Sequence, residues 1–153
     1  HGDGTEEILA DRPGVRFLSL FQWPLFPHRR MEPTPSNAVL SPLPAGAGGE
    51  EIRNVVENVW LPEIDKFQPD LMILSAGFDA HCEERIAQLK AGEMDYACVT
   101  RLLVEASFAY CEGRLVSVLE GGYELRSLAR SVFTHLQGLI RNPLPAETCK
   151  DPN

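Results

Sequence analysis

Two apolar runs constrain this fold more than any other feature. Each is followed by a turn containing glycine and by one side chain, an acid or a phenol, that could act as a ligand or a hydrogen-bond donor. Residues 71–75 and 114–120 have the continuous apolar character of buried strands. The first run leads into Gly77 and Asp79, and the second leads into two glycines and Tyr123. In open α/β sheets, ligands bind at the carboxyl ends of the strands. The sequence therefore predicts one site, assembled from loops that follow two strands.

Further periodic segments alternate with these runs and predict an α/β domain. Strands are predicted at 15–21 and 37–43, and helices at 50–67, 94–112 and 125–140. Pro62 is expected to bend the first of these helices because proline lacks a backbone donor. The proline-rich segment between the first two strands is expected to be irregular. Alternating strands and helices predict parallel pairing through right-handed crossovers.

Charge and composition narrow the classes of partner. The 153 residues include 14 basic and 22 acidic side chains, for a net charge of −8. Nucleic-acid binding needs clustered Lys and Arg, so that partner is not expected. No apolar run approaches the ~20 residues of a membrane span, and no signal-peptide pattern opens the chain. The four cysteines are scattered without a C-x-x-C pair, which favours reduced thiols and a cytoplasmic location.

Three motifs, in this order and at this spacing, resemble the zinc-dependent histone deacetylase superfamily. They are His1–Thr5, Ser75–His81 and Leu119–Leu125, and the segments 41–48 and 60–70 are also similar to the family. The chain looks most like bacterial class II-type members, near the acetylpolyamine amidohydrolases. This resemblance implies part of a three-layer α/β/α fold of the arginase/deacetylase type, with a mainly parallel sheet.

The same resemblance implies boundaries and a place for the known chemistry. Residues 1–141 would be the C-terminal part of a catalytic domain, and residues 142–153 a loose tail. The resemblance makes Asp79 one of three zinc ligands, since catalytic zinc usually keeps three protein ligands and an open position for water. It makes Tyr123 the donor that steadies the substrate's carbonyl oxygen.

Residue types alone leave other interpretations of these positions open. Asp79 also suits a turn or a helix cap, and Tyr123 also suits the edge of a core with its hydroxyl in water. Gly121 and Gly122 lack a Cβ, so backbone there can approach a neighbour or a bound substrate closely. The resemblance assigns both glycines to substrate binding.

Three further residues have weaker counterparts in the family. Phe26 matches an aromatic that walls a narrow acyl-lysine tunnel, which suits a four-carbon apolar stem. Here Pro27–Arg30 follows it instead of a glycine-rich continuation. Ser19 and Leu20 match a position that helps to hold a monovalent cation, K⁺, near the zinc, although a serine in a strand needs no such role.

The histidines of this chain do not supply the rest of the expected machinery. In the family, Asp-x-His-His precedes G-[DN]-G-T, its Asp and first His bind zinc, and His1 matches the second His. Two zinc ligands and the paired histidines that act on the attacking water would therefore lie upstream of residue 1. We interpret His28, His81 and His135 as surface or packing residues. The acidic pair Glu83–Glu84 is expected to be solvated, and the family often has Asp-Pro where this chain has Glu84-Arg85.

Two kinds of function stay open at this point. In the first, the intact protein is a zinc amidohydrolase that removes acetyl groups from acetyl-lysine or from acetylated polyamines. In the second, the chain is an incomplete, catalytically silent portion or a non-catalytic interaction module. An exposed sheet edge and apolar faces would then favour homo-oligomers. A dinucleotide-binding module is not expected, because Gly2–Gly4 has no preceding strand and no G-x-G-x-x-G continuation.

Overall fold

The computed structural model describes residues 1–28 and 34–140. Its elements, in chain order, are α1 (Asp3–Leu9), β1 (Phe17–Gln22), β2 (Ala38–Leu43), α2 (Gly49–Val55), a π-helical turn (Val56–Trp60), α3 (Leu61–Phe67), β3 (Met72–Ala76), α4 (Glu93–Cys111), β4 (Leu115–Leu119) and α5 (Leu125–Leu139). Within this part of the chain, no helix has the length and apolar composition to cross a bilayer. The predicted tail, 142–153, lies outside the described residues.

The strands form two parallel pairs, as the alternating pattern predicts. In one pair Phe17 of β1 lies opposite Ala38 of β2, and in the other Met72 of β3 lies opposite Leu115 of β4. Helix α4 makes the crossover between β3 and β4. Because both strands of each pair run the same way, the carboxyl ends of β3 and β4 meet at one edge.

One apolar cluster joins the two strand pairs. Its buried members come from the α2–α3 region and from α4, and are Val56, Ile64, Leu103 and Ala106. Leu18 of β1 and Leu74 of β3 both pack against it. Helices therefore cover a face that belongs to both pairs, which fixes β1 relative to β3 through side-chain packing.

The other face of the β3–β4 pair is exposed, and the expectation that these strands are buried on both faces is wrong. Ile73 is 68% exposed, Val116 is 50% exposed and Val118 is 47% exposed. Burial alternates along both strands, so that every second side chain points away from the helices. The runs are apolar on both faces, but the described residues cover only one of them.

The predicted helix at 50–67 is divided by the π-helical turn just before Pro62. Proline has no N–H, and its ring would collide with the carbonyl four residues earlier, so a regular α-helix cannot pass through it. The wider turn absorbs this mismatch, and α3 follows it without an intervening loop. Helix α1 was not predicted, because its seven residues show no apolar periodicity.

Candidate active site

The loops after β3 and β4 are held together by backbone hydrogen bonds that continue past the strands. The N–H of Glu120 donates to the carbonyl of Ala76 at 3.0 Å, and the N–H of Phe78 donates to the carbonyl of Gly121 at 2.8 Å. Asp79 follows directly on one side and Tyr123 on the other. The acid and the phenol are therefore brought to the same edge of the sheet, as the sequence predicts.

The carboxylate of Asp79 lies in a space that exists because two neighbours are glycines. A Cβ at Gly121 would stand 2.8 Å from Oδ2, 2.9 Å from Cγ and 3.0 Å from Oδ1 of Asp79. A Cβ at Gly77 would stand 3.1 Å from Oδ1. Side chains at these positions would displace the carboxylate, so the two glycines set where it points.

Gly122 has a different, local reason to be glycine. Its φ of +130° lies in the region that residues with a side chain avoid. A Cβ there would also stand 2.7 Å from Cδ1 of Leu128, on α5. This close approach lets the loop that carries Tyr123 pack directly against the first turns of α5.

The sequence-predicted site residues border one cavity of about 550 Å³. Those that line it are Ser19, Leu20, Phe26, Asp79, Gly121 and Tyr123. Gly122 does not line it. The cavity draws residues from β1 as well as from the ends of β3 and β4, so it spans both strand pairs. Ser19 is buried, whereas Leu20 packs against the core formed around Leu43.

Two exposed aromatic side chains border this cavity. Tyr123 is 60% exposed and Phe26 is 61% exposed. The ring of Phe26 lies beside the ring of His1, with centroids 5.1 Å apart and planes tilted by 57°. Such large exposed rings are available for contact with a bound molecule.

A layer of largely buried residues also lines the cavity, and of these only His135 was considered from the sequence. The ring of Phe78 packs between Tyr96, at 5.0 Å, and His135, at 5.6 Å. The Tyr96 hydroxyl is buried beside the backbone of Ala80, without a hydrogen bond of good geometry among the described residues. Its burial, together with the negative charge of Asp79, raises the pKa of Tyr96 far above its usual value. The only sequence signal for this layer is the helical position of Tyr96, which is also that of a core residue.

His135 is a packing residue with a fixed tautomer, which agrees with its sequence interpretation. The Thr100 hydroxyl donates to the carbonyl of Tyr96 at 2.7 Å, so its oxygen accepts from Nδ1–H of His135 at 2.6 Å. Nε2 then accepts from the Ser117 hydroxyl at 2.9 Å. Burial lowers the pKa of His135, and the neutral ring links α4, α5 and β4.

The described residues supply one candidate metal ligand and not a complete set. The Asp79 carboxylate borders the cavity, and no hydrogen bond to it is formed within residues 1–28 and 34–140. A free carboxylate of this kind suits a divalent ion. Across the same residues, no group of three His, Cys, Asp or Glu side chains stands close enough to hold a metal. A three-ligand zinc site therefore does not fit the described residues alone, and no step through zinc is derived from them.

Solved structures with the same architecture are histone deacetylase domains. The crystal structure of the HDA15 HD domain superposes with a TM-score of 0.81 at 27% identity, covering 97% of this chain and 44% of that chain. The structure of the histone deacetylase Clr3 superposes with a TM-score of 0.82 at 28% identity, covering 95% of this chain and 26% of that one. Fold and cavity together define an α/β protein with a site at the carboxyl ends of parallel strands.

The chain belongs to the histone deacetylase domain family, whose profile matches residues 1–139. Histone deacetylase 14, chloroplastic, of Arabidopsis thaliana is 33% identical over 149 residues, covering 92% of this chain and 34% of that protein. A probable deacetylase of Archaeoglobus fulgidus is 36% identical over 131 residues, covering 82% of this chain and 36% of that protein. Polyamine deacetylase HDAC10 of Homo sapiens is 32% identical over 160 residues, covering 95% and 23%. The chain thus spans about a third, or less, of the length of these three relatives.

Proposed function

We propose that the protein to which this chain belongs is a zinc-dependent deacetylase that removes acetyl groups from acetyl-lysine or from acetylated polyamines. The observation that carries the proposal is the meeting of Asp79 and the Tyr123 loop at one cavity, in a chain of the histone deacetylase domain family. The substrate class follows the printed names of the relatives, which include a polyamine deacetylase. Residues 1–141 would form the C-terminal part of the catalytic domain, and the protein would be cytoplasmic.

Within this proposal, each residue at the cavity has a defined task. Asp79 would give one carboxylate ligand to a zinc ion, which when bound would lower the pKa of a water molecule and polarise the amide carbonyl. Tyr123 donates its phenol proton in a hydrogen bond to the oxygen that becomes negative as water adds. A single donor of this kind is worth about 3 kcal/mol in the transition state. Phe26 lies against the apolar stem of the amine and the backbone at Gly121 faces the acyl group, while Gly122, expected to bind substrate, contributes only through the shape of the loop.

Two further parts of the proposal concern ions. The remaining zinc ligands and the general base come from residues outside those the structure describes, since no three-ligand group is present within them. A monovalent cation, K⁺, is assigned to the neighbourhood of Ser19 and Leu20. Its test is the dependence of thermal stability on KCl, measured for the protein and for Ser19→Ala, with choline chloride as the ionic-strength control.

The main test is substitution of the phenol. Tyr123→Phe keeps the ring and removes the hydroxyl, so kcat for acetyl-lysine or acetylspermidine should fall about 100- to 1,000-fold while zinc content and KM change little. Tyr110→Phe is the matched control, because that phenol is on α4 beside Asp65 and does not line the cavity. A Tyr123→Phe protein with full kcat would remove Tyr123 from the reaction.

A second candidate role for this chain is a non-catalytic interaction or oligomerisation module. The exposed apolar face around Ile73, Val116 and Val118 favours it, because surfaces of this kind mark contacts with other chains. On this view the 153-residue chain alone neither binds zinc stoichiometrically nor turns over acetyl-lysine. Metal analysis, a turnover assay and light scattering of the purified chain separate the two: bound zinc with turnover supports the enzyme, and a silent, self-associating chain supports the module.

A further inference from the structure

Glu84 lies in the loop between β3 and α4, and the expectation that it is solvated is wrong. The pair Glu83–Glu84 is expected to be solvated, and Glu83 does lie at the surface, where it pairs with Arg130 at 2.6 Å. Glu84 is only 9% exposed. Its burial is explained by what its carboxylate bonds, because a charge is seldom buried without partners.

The carboxylate of Glu84 reaches the loop that carries Tyr123. Its Oε1 accepts from the N–H of Tyr123 at 2.6 Å and from the N–H of Glu124 at 2.9 Å. These two N–H groups come just before α5, which begins at Leu125, so neither has a partner within the helix. A negative charge at the amino end of a helix is also favoured by the helix dipole.

These bonds fix the Tyr123 part of the loop, between Gly122 and the start of α5. Among the residues that the structure describes, the bond to Glu84 is the one hydrogen bond that Tyr123 makes, and the Tyr123 side chain is 60% exposed. In the preceding part, Gly121 is tied to Phe78 by its carbonyl. Gly122, between the two parts, has no side chain with which to restrict its backbone.

We propose that Glu84 is a positioning residue, which fixes the backbone of Tyr123 so that the phenol stays over the Asp79 end of the cavity. This inference rests on the proposed role of Tyr123. Glu84 does not itself line the cavity, and its carboxylate bonds the backbone of the Tyr123 loop, so it acts on the reaction through that loop.

The chemistry of the contact defines the variants that test it. Both hydrogen bonds end on one oxygen, so the amide oxygen of Glu84→Gln can accept them at the same length. Glu84→Met fills nearly the same space and has no comparable acceptor. Glu83→Ala removes the neighbouring surface acid and is the matched control.

The first measurement is amide hydrogen exchange in the full protein, which needs no activity. In Glu84→Met, exchange at Tyr123 and Glu124 should rise at least about tenfold, while the centre of α5 stays protected. Glu84→Gln should stay within about threefold of the unsubstituted protein at both amides, and Glu83→Ala should not change them. If Glu84→Met does not fold, Glu84→Ala is measured in its place. Unchanged exchange at both amides in a folded variant without the acceptor overturns the proposal.

The second measurement is kinetic and separates this inference from the proposed function. Glu84→Met should lower kcat at least about tenfold with a smaller change in KM, and Glu84→Gln should recover most of the loss. Adding Glu84→Met to Tyr123→Phe should lower kcat by less than about twofold, because the phenol it positions is already gone. Full additivity of the two losses overturns positioning through Tyr123. If Tyr123→Phe alone is neutral, the proposed function of that phenol fails, and hydrogen exchange still decides whether Glu84 anchors the loop.

Discussion

The contact between Gly121 and Asp79 predicts that the effect of Gly121→Ala on the free energy of unfolding depends on whether the Asp79 carboxylate is present. In Gly121→Ala, the new methyl group would stand 2.8–3.0 Å from three atoms of Asp79. Overpacking of this kind costs about 1–3 kcal/mol. Gly121 is not among the glycines with positive φ, so its backbone suits alanine. Alanine also lowers the conformational entropy of the unfolded chain, which offsets about 0.4–1 kcal/mol of the cost. We expect a net loss of about 1–2 kcal/mol in the free energy of unfolding.

Urea unfolding in two backgrounds checks this reasoning. In a protein that already carries Asp79→Ala, the three clashing atoms are gone, and Gly121→Ala should become neutral or stabilise by up to about 1 kcal/mol. Gly4→Ala is the matched control: it lies in α1 with nothing within 4 Å of the new Cβ, so it should stabilise equally in both backgrounds. An equal loss of stability from Gly121→Ala with and without the Asp79 carboxylate would refute the inference that Gly121 makes room for that carboxylate.

Two further predictions concern stability. Because burial lowers the pKa of His135, the unfolded chain takes up the proton first as the pH falls below about 6.5, and the free energy of unfolding should decrease from there until the folded pKa is passed. Urea titrations between about pH 7.5 and 5 should show that His135→Gln flattens this decrease. His28→Asn, at an exposed site, should leave it unchanged. An unchanged dependence of stability on pH in His135→Gln would contradict a neutral buried ring at His135. Glu112 ends α4 with a left-handed φ of 55°, so Glu112→Gly should raise the thermal midpoint and stabilise by about 0.5–1 kcal/mol. Glu105→Gly, inside α4, should destabilise by about 1 kcal/mol, and equal effects of the two would show that the end of the helix is not strained.

The sequence predicts elements well where a single periodicity repeats over enough residues. The strand at 71–75 and the helix at 94–112 agree with β3 and α4 to within one residue at each end. Their surroundings are less predictable, because an apolar run does not show whether other elements pack on one face of the strand or on both. The run that becomes β3 has alternate side chains exposed, although its composition is that of a strand buried on both sides.

At the site, the positions of the chemical groups were predictable and their supports were not. Asp79 and Tyr123 follow strands whose carboxyl ends meet, so their proximity follows from parallel pairing. Glu84 gives no such signal: it stands beside Glu83 in an acidic stretch, and only the fold turns one acid to solvent and the other inward. Tyr96 and His135 likewise occupy helical positions that any packing residue could fill.

Because the last links between the loops of β3 and β4 join main chain to main chain, the separation of the two loops where they leave the strands is built into the sheet. Side chains along the wall, Phe26 among them, can be exchanged for others without altering that separation. A cavity constructed in this way can present different side chains to a bound molecule while the backbone around Asp79 keeps its geometry.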